Sequence, residues 1–265
     1  ILYFLKKCKS VICLNLSNIM SINTSFNYSP NFDEKKRNKL SIKYIVFHYT
    51  GMKSENGAIK RLTKIQSEVS CHYFIKNDGN IVSLVPDLYT AWHAGKSSWK
   101  NIKSLNKHSI GIEISNPGHE HGYKNFSKNQ IKSLVKLSKF LIKKYNIKKN
   151  NILGHSDISP ERKMDPGEKF PWEKLSKKNI GLWPLIDKKK LIKFRNKKCN
   201  RFKENKFLNN LFKIGYSMYS DKINKNKQYI FITKAFQRRF RPVLINGKID
   251  LECLLISEKL NKLKF

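Results

Sequence analysis

The sequence predicts an α/β fold, a central mixed β-sheet flanked by helices, followed by a small helical module at the C-terminus. Three observations carry this expectation. Ile42-Lys43-Tyr44-Ile45-Val46-Phe47 is a β-branched and aromatic run ending at His48, the pattern of a mostly buried strand. Ser109-Ile110-Gly111-Ile112-Glu113-Ile114 alternates strictly, with the three isoleucines on one face and Glu113 on the other. Ser127 and Gln130 form a capping-box pattern, and Ile131, Leu134, Val135, Leu137, Leu141, Ile142 and Tyr145 follow at helical spacing. Strands interleaved with helices in this order require helices layered on a sheet.

The remaining elements follow in chain order. Residues 1–40 read as an N-terminal arm; its stretch 15–40 is rich in Asn, Ser and Lys with little periodicity. Gly57 to Glu68 has helical spacing through Ile59, Leu62 and Ile65. Cys71 to Ile75 and Ile81 to Val85 flank Asn77-Asp78-Gly79-Asn80, whose Asp-Gly tolerates the positive φ of a tight turn, so a β-hairpin is expected. A short strand over 151–154 precedes His155, and a loop punctuated by Pro160, Pro166 and Pro171 closes the α/β domain, 41–185. A basic linker, 186–206, leads to helical stretches over 207–265.

Of 265 residues, 54 are Lys or Arg and 19 Asp or Glu, a net charge of +35 at pH 7. This charge fits an anionic partner, whether nucleic acid, lipid or acidic polymer, and fits equally a composition drifted toward Lys, Asn and Ile. It therefore specifies no nucleic-acid partner. No apolar run approaches the roughly 18 residues of a membrane-spanning helix. Five cysteines, Cys8, Cys13, Cys71, Cys199 and Cys253, are odd in number and never arranged as CxxC, which argues against a disulfide framework or a cysteine zinc finger. Near the N-terminus the apolar stretches ILYFL and VICLNL flank Lys6, Lys7 and Lys9, a weak leader interrupted by Asn15 and Asn18.

Chemistry concentrates at the ends of elements. His48 and His155 each follow a strand, and Asp165 lies in the loop beyond His155. Two imidazoles and a carboxylate, with a fourth position left to water, suit a hydrolytic zinc site, where the ion lowers the pKa of water to roughly 7. The combination Gly154-His155-Ser156-Asp157 with Lys163-Met164-Asp165-Pro166-Gly167 strengthens the case. Lys163, two residues before Asp165, addresses the same face in extended backbone and could stabilise an oxyanion.

Taken together, Val46-Phe47-His48-Tyr49-Thr50, Ser70-Cys71-His72-Tyr73, Ala91-Trp92-His93-Ala94-Gly95, Ser109-Ile110-Gly111-Ile112-Glu113, Gly154-His155-Ser156-Asp157 and Lys163-Met164-Asp165-Pro166-Gly167 resemble the zinc-dependent N-acetylmuramoyl-L-alanine amidases of the type 2 family, relatives of the peptidoglycan recognition proteins and the T7 lysozyme amidase. The resemblance covers roughly Ile42 to Pro184. It implies a single Zn2+ held by His48, His155 and Asp165, with Glu113 as general base and Lys163 as polariser. It further implies hydrolysis of the amide between the lactyl group of N-acetylmuramic acid, anhydro or not, and L-alanine of the stem peptide. Trp92 and His93 would line the substrate groove, and Asn116 would bind stem-peptide backbone. His72 reads as a structural histidine, and His119 and His121 as surface loop residues.

Thr233-Lys234-Ala235-Phe236-Gln237-Arg238-Arg239-Phe240-Arg241-Pro242 and the following Asn246-Gly247-Lys248-Ile249-Asp250-Leu251-Glu252 resemble a degenerate peptidoglycan-binding module. Such a tail would bind the wall, or would pack on the amidase domain. It favours the bacterial cell envelope, the periplasm, while the weak leader favours the cytoplasm. A non-catalytic recognition protein of the same fold is the alternative function; such receptors typically lack a ligand, whereas His48, His155, Asp165, Glu113 and Lys163 are all present.

Overall fold

The computed structural model describes residues 22–218 and 223–263. The weak leader and two of the cysteines, Cys8 and Cys13, lie outside the described residues, and Cys71, Cys199 and Cys253 are free thiols. Ten strands are found among the described residues: β1 (Ser25–Phe26), β2 (Phe32–Asp33), β3 (Tyr44–Tyr49), β4 (Tyr73–Ile75), β5 (Ile81–Ser83), β6 (Thr90–Ala91), β7 (Ser98–Trp99), β8 (Ile102–Lys103), β9 (Ser109–Ile114) and β10 (Ile152–Gly154). Six of them form one mixed sheet in the order β1-β5-β4-β9-β3-β10. Only the β4–β5 hairpin is antiparallel within it; β1 to β5, β4 to β9, β9 to β3 and β3 to β10 all pair in parallel.

Parallel pairing in register explains how the two faces differ. Ile45 pairs with Ile110, Phe47 with Ile112 and Tyr49 with Ile114, so one face of β3 and β9 is apolar. Residues one step along point the other way, and His48 pairs with Glu113 there. Helix α2 (Lys128–Tyr145) lies on the apolar face and buries Leu134, Leu137 and Leu141 against Ile45, Phe47, Ile110 and Ile112. Its start is the expected capping box, Ser127 Oγ accepting from Gln130 N and Gln130 Oε1 from Ser127 N. Asn146 ends it in the left-handed conformation that short polar side chains tolerate.

On the opposite face, helix α1 (Glu55–Thr63) covers one end of the sheet, with Ala58 and Leu62 packed on Phe74 and Val82. The other end is covered by α6 (Arg201–Ile214), α7 (Lys225–Phe240) and α8 (Leu251–Lys262). Their Phe207, Ile214, Ile232, Phe236 and Ile256 share one core with Tyr44, Val46 and Leu153 of the sheet. The C-terminal helices thus complete the burial of β3 and β10. Between them run the short helices α3 (His155–Ile158), α4 (Trp172–Ser176) and α5 (Lys188–Phe194).

Two stretches outside the expected α/β domain carry structure. The N-terminal arm adds β1 to the sheet edge and pairs β2 with β6. Its Arg37 reaches inward to donate to the carbonyls of Asp87, Asn106 and Ser109. The basic stretch 186–206 holds α5 and the first turns of α6. Arg195 there forms a two-pronged ion pair with the buried Glu252.

Candidate metal centre and its cleft

The carboxyl ends of β3, β9 and β10 converge on the face opposite α2, where open α/β sheets commonly bind ligands. His48 occupies the next-to-last position of β3, Glu113 that of β9, and His155 follows β10 directly. Parallel pairing places all three at one level. Asp165 arrives from the loop after α3, where Ser156 N donates to Asp165 O at 2.8 Å and ties that loop to the histidine. Gly154 permits the approach, because a Cβ there would stand 2.7 Å from Pro166 Cδ.

The three side chains are buried and meet at single atoms. His48 Nδ1 is 3.0 Å from His155 Nδ1 and 3.0 Å from Asp165 Oδ2, and His155 Nδ1 is also 3.0 Å from Asp165 Oδ2. Ligands about 2.0 Å from one tetrahedral ion would be about 3.3 Å apart, so the donor set fits an ion such as zinc. Burial and the neighbouring His155 push the His48 imidazole down to about 4, so it is neutral at physiological pH, as ligation requires. Burial opposes ionisation of Asp165, but the His155 and His48 imidazoles outweigh it and hold its carboxyl well below the usual range.

Glu113 reaches the floor of the cleft beside this cluster. Its Oε2 is buried without a hydrogen-bond partner, and burial, assisted by Asp165 and opposed by Lys163, pushes the carboxyl up to about 8. A carboxyl so raised is a competent proton acceptor near neutral pH. Lys163 stands on the wall of the same cleft, half-exposed, and its charge acts on both Glu113 and His48. The cleft has a volume of about 320 Å3, enough for part of a glycopeptide.

The other expected residues divide. Trp92 lines the cleft, its indole nitrogen donating to Asp33 Oδ1 of the arm at 2.8 Å. His93 is buried at the back of the cleft with Nδ1 3.1 Å from His48 Nε2. Asn116 is buried and its amide is engaged within its own loop: Nδ2 donates to Lys124 O and Oδ1 accepts from Gly118 N. His72 is buried, accepting from Gly111 N, and neighbours Arg37.

His119 was expected on a surface loop, and it instead lines the cleft. It bridges Tyr49 and Glu168 at 2.8 and 3.0 Å and stacks on Tyr123. Sequence reasoning missed it because its partners lie 49 and 70 residues away. Asp157 of the Gly-His-Ser-Asp block was also assigned no role. It accepts from Gly154 N, from Tyr216 Oη at 2.6 Å and from Arg239 Nη1 at 2.5 Å. This joins the loop of a metal-competent histidine to the C-terminal helices.

Metal-competent side chains beside a raised carboxyl, in a cleft at the carboxyl ends of parallel strands, define a hydrolase of the metal-assisted class. Comparison with known proteins narrows the class. A family model described as N-acetylmuramoyl-L-alanine amidase matches residues 38–168. The amidase AmiD of Escherichia coli is 34% identical over 231 residues, 83% of this chain and 82% of AmiD. The 1,6-anhydro-N-acetylmuramyl-L-alanine amidase AmpD of Haemophilus influenzae is 35% identical over 55% of this chain and 86% of its own length. Among solved structures, AmiD of E. coli in complex with the substrate anhydro-N-acetylmuramic acid-L-Ala-D-γ-Glu-L-Lys superposes with a TM-score of 0.74 and 33% identity, covering 87% of this chain and 91% of AmiD. AmpDh3 of Pseudomonas aeruginosa, solved alone and with anhydromuramic pentapeptide, superposes with a TM-score of 0.72 and 27% identity, covering 94% of this chain and 98% of its own. The chain belongs to the N-acetylmuramoyl-L-alanine amidase family.

Proposed function

We propose that this chain cleaves the amide joining the lactyl group of anhydro-N-acetylmuramic acid to L-alanine of the stem peptide, in peptidoglycan recycling, with one zinc ion held by His48, His155 and Asp165. The observation that carries the metal reading is the meeting of His48 Nδ1, His155 Nδ1 and Asp165 Oδ2 at mutual distances of 3.0 Å, opposite Glu113 in strand register. The anhydro form is favoured by the anhydro-muramic peptides bound to the similar AmiD and AmpDh3.

Held by His48, His155 and Asp165, a zinc ion would supply a Lewis acid and would bring the pKa of water toward 7. Glu113 Oε2, without a partner in its buried setting, takes the proton from the attacking water and returns it to the alanine nitrogen as that bond breaks. The Lys163 ammonium, on the same wall, faces the negative charge that develops on the carbonyl oxygen. Trp92 offers an indole face to sugar or peptide, held in place by Asp33.

We assign residues 41–185 to the amidase domain and 207–265 to a helical module that supports the sheet and supplies any contact with the wall, the stretch 186–206 joining them. No helix among the described residues is long and apolar enough to cross a membrane. The similarity to AmiD extends over 83% of this chain, and that to AmpD over 55%. The tail favours action in the cell envelope over the cytoplasm. A non-catalytic recognition role is disfavoured because Glu113 and Lys163 accompany a complete donor set. The test is release of free stem peptide from purified anhydro and reduced muropeptides, with and without a chelator. Release from the anhydro form that stops with chelator is expected; no release from either form by folded, zinc-loaded protein would overturn the assignment.

A further inference from the structure

A histidine binds a metal through one ring nitrogen only if the proton sits on the other, so something must hold that proton. For His155 two groups meet Nε2: the carbonyl of Ala94 at 3.1 Å, and at 3.4 Å the Arg162 guanidinium, whose Nη2 donates at 2.6 Å to that same carbonyl. The closer partner is the carbonyl, which only accepts, so Nε2 carries the proton and Nδ1 is left bare toward Asp165. For His48 the proton is fixed through two further residues. Ser109 Oγ lies 2.6 Å from Leu105 O and must donate there, which leaves its lone pair facing His93 Nε2 at 3.2 Å. His93 therefore carries its proton on Nε2 and presents Nδ1 as an acceptor. His48 Nε2, 3.1 Å away, donates to it, and His48 Nδ1 is left bare beside His155 and Asp165.

Two adjacent residues thus serve both histidines, and their own position is secured independently. Asn106 Oδ1 accepts from the backbone N–H of His93 at 3.1 Å and of Ala94 at 2.7 Å. The His93 ring lies across Gly111, where a Cβ would stand 2.3 Å from its Cγ. Resting on the zinc reading given above, we propose that the dipeptide His93–Ala94, clamped by Asn106 and seated on Gly111, is a positioning element that sets the tautomer of both metal-binding histidines. His93 is then a positioning residue behind the metal, with its polar atoms spent on His48 and Ser109, and the groove-lining role expected for it is secondary.

The test compares His93→Leu, which removes the acceptor, with His93→Asn, whose Oδ1 stands where Nδ1 does. Zinc affinity is read by competition with a chromophoric chelator, and ligand geometry by the visible spectrum of the cobalt-substituted protein. His93→Leu is expected to weaken zinc binding about 10–100-fold and to alter the cobalt spectrum, and His93→Asn to recover affinity to within about threefold of wild type. Ser109→Ala, which removes only a hydroxyl, should weaken zinc several-fold and keeps the test open if His93→Leu does not fold. Wild-type zinc affinity in folded His93→Leu, failure of Asn to rescue, or a rise in KM alone would overturn the proposal and leave the zinc reading intact. Absence of zinc binding by the wild type would overturn both.

Discussion

Beneath α2, Ile45, Phe47, Ile110 and Ile112 meet Leu134, Leu137 and Leu141 in a buried apolar layer, while on the other face the same strands present His48 and Glu113 to an open cleft. The period of two in a strand divides the labour. Residues that stabilise the fold and residues to which we assign the chemistry alternate along β3 and β9 and point to opposite faces. The polar face carries unfavourable features that the apolar face offsets, such as the Glu113 oxygen buried without a partner. Substitutions on the two faces should therefore separate activity from stability.

The largest effect is expected at the donor set. His48→Ala should abolish stoichiometric zinc binding, measured by metal analysis after dialysis, and reduce muropeptide cleavage by about 1,000-fold or more, since nucleophile activation and carbonyl polarisation are lost together. Glu113→Ala should keep zinc and lower kcat by about 100–10,000-fold, the range for removing a general base. Retention of activity in that variant would assign the proton transfer elsewhere. Replacing Arg239 with Met leaves the buried Asp157 carboxylate without its cation, and chemical denaturation should show a loss of about 3–5 kcal/mol.

On the opposite face, Leu137→Ala should cost about 2–5 kcal/mol of stability by opening a cavity, with zinc affinity and kcat of the folded protein unchanged. A drop in kcat there would mean that the two faces are mechanically coupled. The smallest effect is pH-dependent. Because folding raises the Glu113 pKa from 4.5 to about 8, the folded zinc-free protein holds a proton that the unfolded chain releases. Stability from this group is full below about pH 4.5 and falls as pH rises through 8. Glu113→Gln should therefore match zinc-free wild type near pH 4.5 and exceed it by on the order of 1–3 kcal/mol at pH 8 to 9, read from thermal melts. An advantage that shrinks with rising pH would contradict the burial of this carboxyl.

Much of this division was legible in local pattern. The run 42–47, the alternation of 109–114 and the capping box at Ser127 each specify an element through neighbours within four residues, and all three form as expected. His48, His155 and Asp165 were legible as polar groups at element ends, and the structure brings them to one point. What stayed hidden depends on pairings across the chain. The bond from His93 to His48 spans 45 residues, and that from Arg239 to Asp157 spans 82. Asn116 follows the Glu113 strand, as a substrate contact would, yet its amide closes the loop to Lys124. The helices of 207–265 show apolar stripes that any partner could cover, and nothing local says that Tyr44 and Val46 are what they cover.

The proposed chemistry requires one ion in one place, and the most direct measurement is anomalous diffraction at the zinc edge from crystals of the zinc-loaded protein. The expected result is a single peak within bonding distance of His48 Nδ1, His155 Nδ1 and Asp165 Oδ2, with Glu113 across the cleft and unligated. A peak bound by other residues, or no peak in protein that still releases stem peptide, would contradict it.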